Sequence, residues 1–291
     1  MAVSTPARPL INALEGASAL DAPAKAIAAK DRDLLGDSAF KQAISGTGMG
    51  HPVHPPLTDV VIGSFLSASL LDFLAPRAGA QAARLLIKLG IAASVPTAIT
   101  GASDWADTEL SDDGVRRVGL VHAGANTTAL VLYSASLVAR RRGARFRGAL
   151  LALAGAGVLG FSGYLGGHMS YVRGVGVNQT AFDAGPEEWT ATLASAELGE
   201  GQPHAAEAAD TPVMLVRRGG TVSAIHDRCS HRGCLLSDGK LEGDVITCSC
   251  HGSQFDIRDG TLLRGPATVA QPAFEARETN GHIEVRRISR G

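Results

Sequence analysis

Cys229-Ser230-His231 and Cys248-Ser249-Cys250-His251 are the stretches that decide how this chain is read. The pattern is Cys-x-His, a gap of 16 residues, then Cys-x-x-His. Each loop supplies one thiolate and one imidazole. Such a set can hold a two-iron, two-sulfide cluster, with both thiolates on one iron and both imidazoles on the other. The same four donors also suit a tetrahedral Cys2His2 zinc site. In the cluster case the neutral imidazoles carry less charge than thiolates. They lift the potential to roughly −150 to +300 mV, and their outer N–H groups can couple electron to proton transfer.

The flanking residues speak for the cluster. Cys229-Ser-His231-Arg-Gly-Cys234, Cys248-Ser-Cys250-His251-Gly-Ser253-Gln-Phe255-Asp256 and the downstream Gly265-Pro266-Ala267 resemble Rieske [2Fe–2S] proteins over roughly residues 187–288. The resemblance implies Cys229, His231, Cys248 and His251 as ligands, with Gly265-Pro266 as the segment covering the cluster. It also implies a Cys234–Cys250 disulfide clamping the two loops, as in Rieske proteins of cytochrome bc complexes. Oxygenase-type domains usually lack that bond, and two small buried thiols are the alternative. A structural disulfide favours an oxidising compartment. Ser253 keeps the hydroxyl that, by resemblance, bonds a bridging sulfide. Phe255 stands where high-potential members have Tyr, so one donor to a cysteine sulfur is missing. Donors to sulfur stabilise the reduced cluster, and the potential is therefore expected below the top of the range. Arg232 stands where quinol-oxidising members carry an apolar Leu, a feature closer to the ferredoxin and oxygenase group.

The rest of the C-terminal part reads as short antiparallel strands. Pro212–Val216 and Thr221–Ile225 flank Arg-Arg-Gly-Gly, a hairpin signal. Gly243–Thr247 leads into the second ligand loop, and His282–Val285 alternates as a closing strand. The pattern fits a small sandwich or barrel. His226 and His282 match no ligand position and read as satisfied or surface histidines.

The N-terminal half has a different character. Apolar stretches at about 57–75, 83–102, 118–138 and 149–167 each approach the ~20 residues that a bilayer-crossing helix needs. Gly, Ala and Ser are frequent in them, which permits close helix packing; a soluble bundle with buried helices is the alternative. The third loop carries Arg140, Arg141, Arg142, Arg145 and Arg147, and the first carries Arg77 with Arg84 and Lys88 just beyond. The middle connection is acidic, with Asp104, Asp107, Glu109, Asp112 and Asp113 against Arg116 and Arg117. By the positive-inside tendency, the basic loops are cytoplasmic, and both termini and the cluster domain lie outside. The disulfide expectation points the same way. Arg140-Arg141-Arg142 could act as an internal twin-arginine export signal, or simply as a topological anchor. No cleavable signal peptide is legible. Residues 10–47 read as one or two interfacial or capping helices, or as a partly ordered tail.

Gly50-His51-Pro-Val-His54-Pro-Pro, Gly101-Ala-Ser-Asp104-Trp105, Val121-His122-Ala-Gly-Ala-Asn126 and Gly163-Tyr-Leu-Gly-Gly-His168 resemble an uncharacterised four-helix membrane family with a His-Pro-x-His-Pro signature, over about residues 10–178. The expected topology puts His51, His54, His122 and His168 near the outer face. There they could ligate haem b or a metal, hold a quinone, or simply bond helix termini, with Asp59, Asp104 and Trp105 in support.

The expected architecture is α+β and multidomain. An amphipathic segment (1–47) precedes a four-helix transmembrane bundle (48–178), a linker (179–187) and an all-β Rieske domain (188–291). The expected function is a membrane-anchored carrier of single electrons between a membrane donor and a redox partner protein. A quinol-oxidising subunit of a bc-type complex and a redox-sensing scaffold are the alternatives. With 27 basic and 28 acidic side chains, nucleic-acid binding has no support.

Overall fold

The computed structural model describes residues 6–36 and 38–288. It resolves into two units, Met1–Ser38 with Val53–Val175, and Ala39–Pro52 with Gly176–Gly291. The helices are α1 (Arg8–Glu15), α2 (Asp21–Leu35), α3 (Ala39–Ser45), α4 (His54–Leu74), α5 (Ala80–Thr108), α6 (Asp113–Arg141) and α7 (Arg145–Tyr171). All but α3 belong to the first unit.

In the helical unit α4 packs on α5 and α7, and α6 packs on α5 and α7. Small residues let the helices approach. Phe65 and Tyr133 stack with centroids 3.9 Å apart. Gly90 faces Phe65 and Gly155 faces Tyr133 so closely that an added Cβ would lie 2.5 and 2.9 Å from those rings. The buried Tyr133 hydroxyl donates to the Phe65 carbonyl at 3.1 Å, so its polar tip is satisfied within the bundle.

Among the described residues, three helices are long and apolar enough to cross a bilayer: α4, α5 and α7. The expected third stretch, 118–138, is a helix of sufficient length but falls short in apolarity. The polar positions His122, Asn126, Thr127 and Thr128 dilute it. Three of the four expected spans thus have the length and apolarity of a bilayer crossing among the described residues.

The N-terminal segment is helical and paired by charge. Arg117 grips Asp21 through two bonds of 2.8 Å. Glu109, fully buried, receives Arg32 at 2.9 Å and Arg116 at 2.7 Å. Glu15 bonds His168 at 2.8 Å and Arg173 at 2.7 Å. A buried acid such as Glu109 persists because it is paired and hydrogen-bonded. Arg140 is buried in a two-pronged pair with Asp72. Its Nε also donates to Ser136 at 3.0 Å.

Among the described residues the second unit carries ten strands: β1 (Thr190–Ala194), β2 (His204–Ala208), β3 (Thr211–Arg218), β4 (Thr221–His226), β5 (Lys240–Glu242), β6 (Val245–Thr247), β7 (Gln254–Asp256), β8 (Leu262–Arg264), β9 (Ala273–Thr279) and β10 (His282–Arg287). One antiparallel sheet has the order β1-β10-β9-β4-β3-β2, and a smaller one the order β5-β6-β7-β8. The β3–β4 hairpin forms where expected. Arg218 pairs with Thr221 across Gly219 and Gly220, whose φ angles are +56° and +81°. Two successive positive φ values match the twist of the flanking strands and favour glycine. His226 is buried and bonds Asp183 at 3.1 Å, a satisfied strand histidine as expected.

Candidate metal centre

The two ligand loops are built alike. In the first, between β4 and β5, the Cys229 amide donates to the Cys234 carbonyl and the Gly233 amide to the Cys229 carbonyl, both at 2.8 Å. In the second, between β6 and β7, the Cys248 amide donates to the Ser253 carbonyl at 2.8 Å and the Gly252 amide to the Cys248 carbonyl at 3.1 Å. Gly233 and Gly252 close the turns at φ +79° and +76°. The same Cys-x-x-x-Gly string thus occurs twice, one turn per loop, a repeat that was available in the sequence but went unread.

These turns bring the expected donors together. Cys229 and Cys248 are free and buried. Their thiols hydrogen-bond each other; that bond helps push Cys229 far up and draws Cys248 down to about 6. The His231 and His251 rings meet edge to face with centroids 4.9 Å apart. Burial holds the His231 imidazole neutral, its pKa well below the usual value, with His251, Arg232 and Lys41 adding to the effect. A neutral imidazole and a deprotonated thiol are the metal-binding forms. The Nδ1 atom of His231 is buried without a hydrogen-bond partner. Such an orphan is costly unless a ligand occupies it. Two converging thiols, two imidazoles and an unpartnered buried ring nitrogen fit a metal cluster.

Cys234 and Cys250 form the expected disulfide, joining the two loops across a sequence separation of 16. The Sγ atoms of Cys234, Cys248 and Cys250 lie within 4.8 Å of one another, so the clamp borders the donor set. Closing a loop of that size stabilises by about 3 kcal/mol in the chain-entropy model. Cys234→Ser is expected to assemble its metal centre but to lose it at markedly lower temperature than wild type. Thermal bleaching of the visible absorbance checks this; an unchanged bleaching curve would show that the disulfide is dispensable.

The surroundings also match expectation in part. Ser253 is fully buried, and its Oγ accepts from the Ala267 amide at 3.0 Å, leaving the hydroxyl proton to point elsewhere. Phe255 is fully buried and brings no hydroxyl. Gly265-Pro266 is a cis peptide in the loop after β8. Gln271 escaped the sequence reading. Its Oε1 accepts from the Ser230 amide at 2.8 Å, while its Nε2 donates to the carbonyls of His226 at 2.9 Å and Arg228 at 2.8 Å. One buried amide thus pins the first ligand loop to the large sheet. No local pattern marks such a residue, because its three partners lie more than 40 positions away along the chain.

Each of the four membrane-side histidines has a protein partner. His51 belongs to the β unit and bonds the Pro52 carbonyl at 2.7 Å. His54 bonds the Thr97 carbonyl at 3.0 Å, and His122 bonds the Ser162 carbonyl at 2.8 Å and Asn126 at 3.0 Å. His168 is taken by Glu15. Trp105 donates to the Val115 carbonyl at 3.3 Å and fills the notch left by Gly119. These contacts are structural and give the haem or quinone reading no support.

Comparison with known proteins agrees with this site. The Rieske [2Fe-2S] domain family matches residues 188–275, and the predicted membrane protein family DUF2231 matches residues 50–179. The ferredoxin subunit of anthranilate 1,2-dioxygenase from Burkholderia cepacia is 34% identical over 34% of this chain and 91% of its own length. The iron-sulfur subunit of the cytochrome b6-f complex from Chlorobaculum tepidum is 32% identical over 26% of this chain and 41% of its own length. Among solved structures, the ferredoxin of carbazole 1,9a-dioxygenase from Nocardioides aromaticivorans is 27% identical, covering 35% of this chain and all of that one, with a TM-score of 0.33. The class defined by the fold and donor set is that of Rieske-type electron-transfer domains. This chain belongs to the Rieske [2Fe–2S] family and joins that domain to a DUF2231 domain.

Proposed function

We propose that the chain is a membrane-anchored Rieske protein that carries single electrons between a membrane donor and an acceptor protein. Cys229 and Cys248 would hold one iron and His231 and His251 the other; when bound, the cluster takes up and releases one electron. The observation that carries the proposal is that the same two loops bring two free buried thiols to each other and two imidazoles edge to face. Around them the chain's own residues position and insulate. Gln271 holds the first loop, Ser253 bridges the second loop to Ala267, and Phe255 keeps the sulfur side apolar.

Bilayer anchoring is supported by α4, α5 and α7 and by the match to a membrane family. Placement of the cluster domain on the outer face is supported by the basic Arg140–Arg147 loop and by the Cys234–Cys250 disulfide, which persists in oxidising compartments. Arg232 beside His231, together with the ferredoxin relative, favours a soluble acceptor protein such as an oxidoreductase component. The disulfide and the cytochrome b6-f relative favour the second reading, a subunit working beside a quinol-oxidising complex.

A potentiometric titration of membranes, followed by electron paramagnetic resonance, tests the proposal. A Rieske signal is expected, with a midpoint inside roughly −150 to +300 mV and below its upper end, because Phe255 lacks a donor hydroxyl. In intact cells a membrane-impermeant oxidant should bleach that signal. Absence of any iron–sulfur signal would overturn the electron-carrier function, and a signal reached only after lysis would overturn the outer-face placement. A midpoint near the top of the range would move the balance to the quinol-linked reading.

A further inference from the structure

The β unit contains a piece of chain from far outside the Rieske match. Residues 39–52 precede the first apolar helix, yet they group with the cluster domain. The contact is specific. The Gly265 amide, next to Pro266 in the loop expected to cover the cluster, donates to Gln42 Oε1 at 2.7 Å. Thr47 presses on the same glycine so tightly that an added Cβ would lie 2.1 Å from its Oγ1. Further along, Gly50 approaches the Thr268 carbonyl on the same loop.

This docking buries a cation. Lys41, adjacent to Gln42 on α3, is only 8% exposed. The helix that carries Lys41 and Gln42 lies against the loop of Gly265-Pro266, whose Ala267 amide in turn bonds Ser253 of the second ligand loop. Reduction adds one electron to the cluster, and a nearby positive charge stabilises the more negative state. The effect is larger inside the protein than at an exposed site, where salt screens it.

We propose that residues 39–49 form part of the cluster site, with Lys41 setting the reduction potential and Gln42 positioning it. The inference rests on the electron-carrier reading above. Lys41 raises the midpoint, and Gln42 holds α3 against Gly265 so that the charge stays near the loop over the cluster. The chain ahead of α4 thereby tunes the cluster.

The test is the midpoint of the full-length protein in membranes. Lys41→Met keeps the length of the side chain and removes the charge. The reduction equilibrium constant should fall about three- to tenfold, tenfold corresponding to ~59 mV for one electron. Lys41→Arg should keep the wild-type midpoint. Gln42→Glu keeps an acceptor for the Gly265 amide but adds a negative charge, and should also lower the midpoint. A wild-type midpoint in Lys41→Met, with its cluster assembled, overturns the inference. If Lys41→Met assembles no cluster, Gln42→Glu decides, and an unchanged midpoint there overturns it. Loss of the Rieske signal in the unsubstituted protein would be a different failure, that of the electron-carrier reading itself.

Discussion

Replacing Cys248 with serine is expected to abolish the Rieske paramagnetic signal and most of the bound iron while leaving the large sheet folded. Serine keeps the size but lacks the soft thiolate that iron–sulfur clusters require. The loss should be complete because the two loops depend on each other. Each brings one thiol and one imidazole, so removing Cys248 leaves the thiolate-held iron tied to one loop alone. Cys229→Ser and His251→Ala should behave alike. The large sheet should survive because one of its faces has a core of its own, formed by Leu193, Val213, Leu215, Phe274, Ile283 and Val285. Met214, Val216 and Ile225 on its other face pack with Cys229, Cys248, Phe255, Leu236 and Ile246. Iron content, paramagnetic resonance and far-ultraviolet circular dichroism on the same samples check this. A full two-iron content with an unaltered signal in Cys248→Ser would refute the ligand assignment, and stoichiometric zinc in wild type would replace the cluster by a Cys2His2 site.

Asp72→Ala is expected to destabilise the helical unit by about 3–5 kcal/mol, the usual cost of leaving one partner of a buried ion pair alone. The side chains of Arg140 and Asp72 are 2% and 10% exposed. Gly148 packs against the Arg140 side chain, so the guanidinium has little room to swing toward water. With Asp72 gone, Ser136 is the remaining side-chain partner described for Arg140, and a hydroxyl cannot neutralise it. The double variant Asp72→Ala/Arg140→Met should recover most of the loss, because both charges then leave together. Thermal unfolding in detergent measures both. Equal stability of wild type and Asp72→Ala would show that the pair contributes little, and a double variant as weak as the single one would show that packing, not charge, matters there.

Several features were legible because their causes are local. Cys229 and His231, two residues apart, must lie on one loop whatever the rest of the chain does. The Arg-Arg-Gly-Gly turn dictates its hairpin through backbone sterics alone. The apolar runs of α4, α5 and α7 follow from composition over some 20 residues. The Cys234–Cys250 bond came only from family resemblance, since nothing along the chain says which sulfurs meet. The apolar run of α6 is less marked, because His122, Asn126 and the paired threonines interrupt it.

What the sequence by itself determined is the chemistry: which donors exist, how they are spaced, and which half of the chain is apolar. What only the tertiary structure decided is which distant groups complete each other. Gln271 became a clamp because its amide meets the carbonyls of His226 and Arg228 and the Ser230 amide. Arg140 became half of a buried pair because α4 brings Asp72 alongside. Lys41, in an unremarkable Ala-Phe-Lys-Gln-Ala run, came to neighbour the cluster site because Gln42 found the Gly265 amide 223 residues away. Ligand spacing is a property of a few adjacent residues. Burial and electric field are properties of everything folded around them.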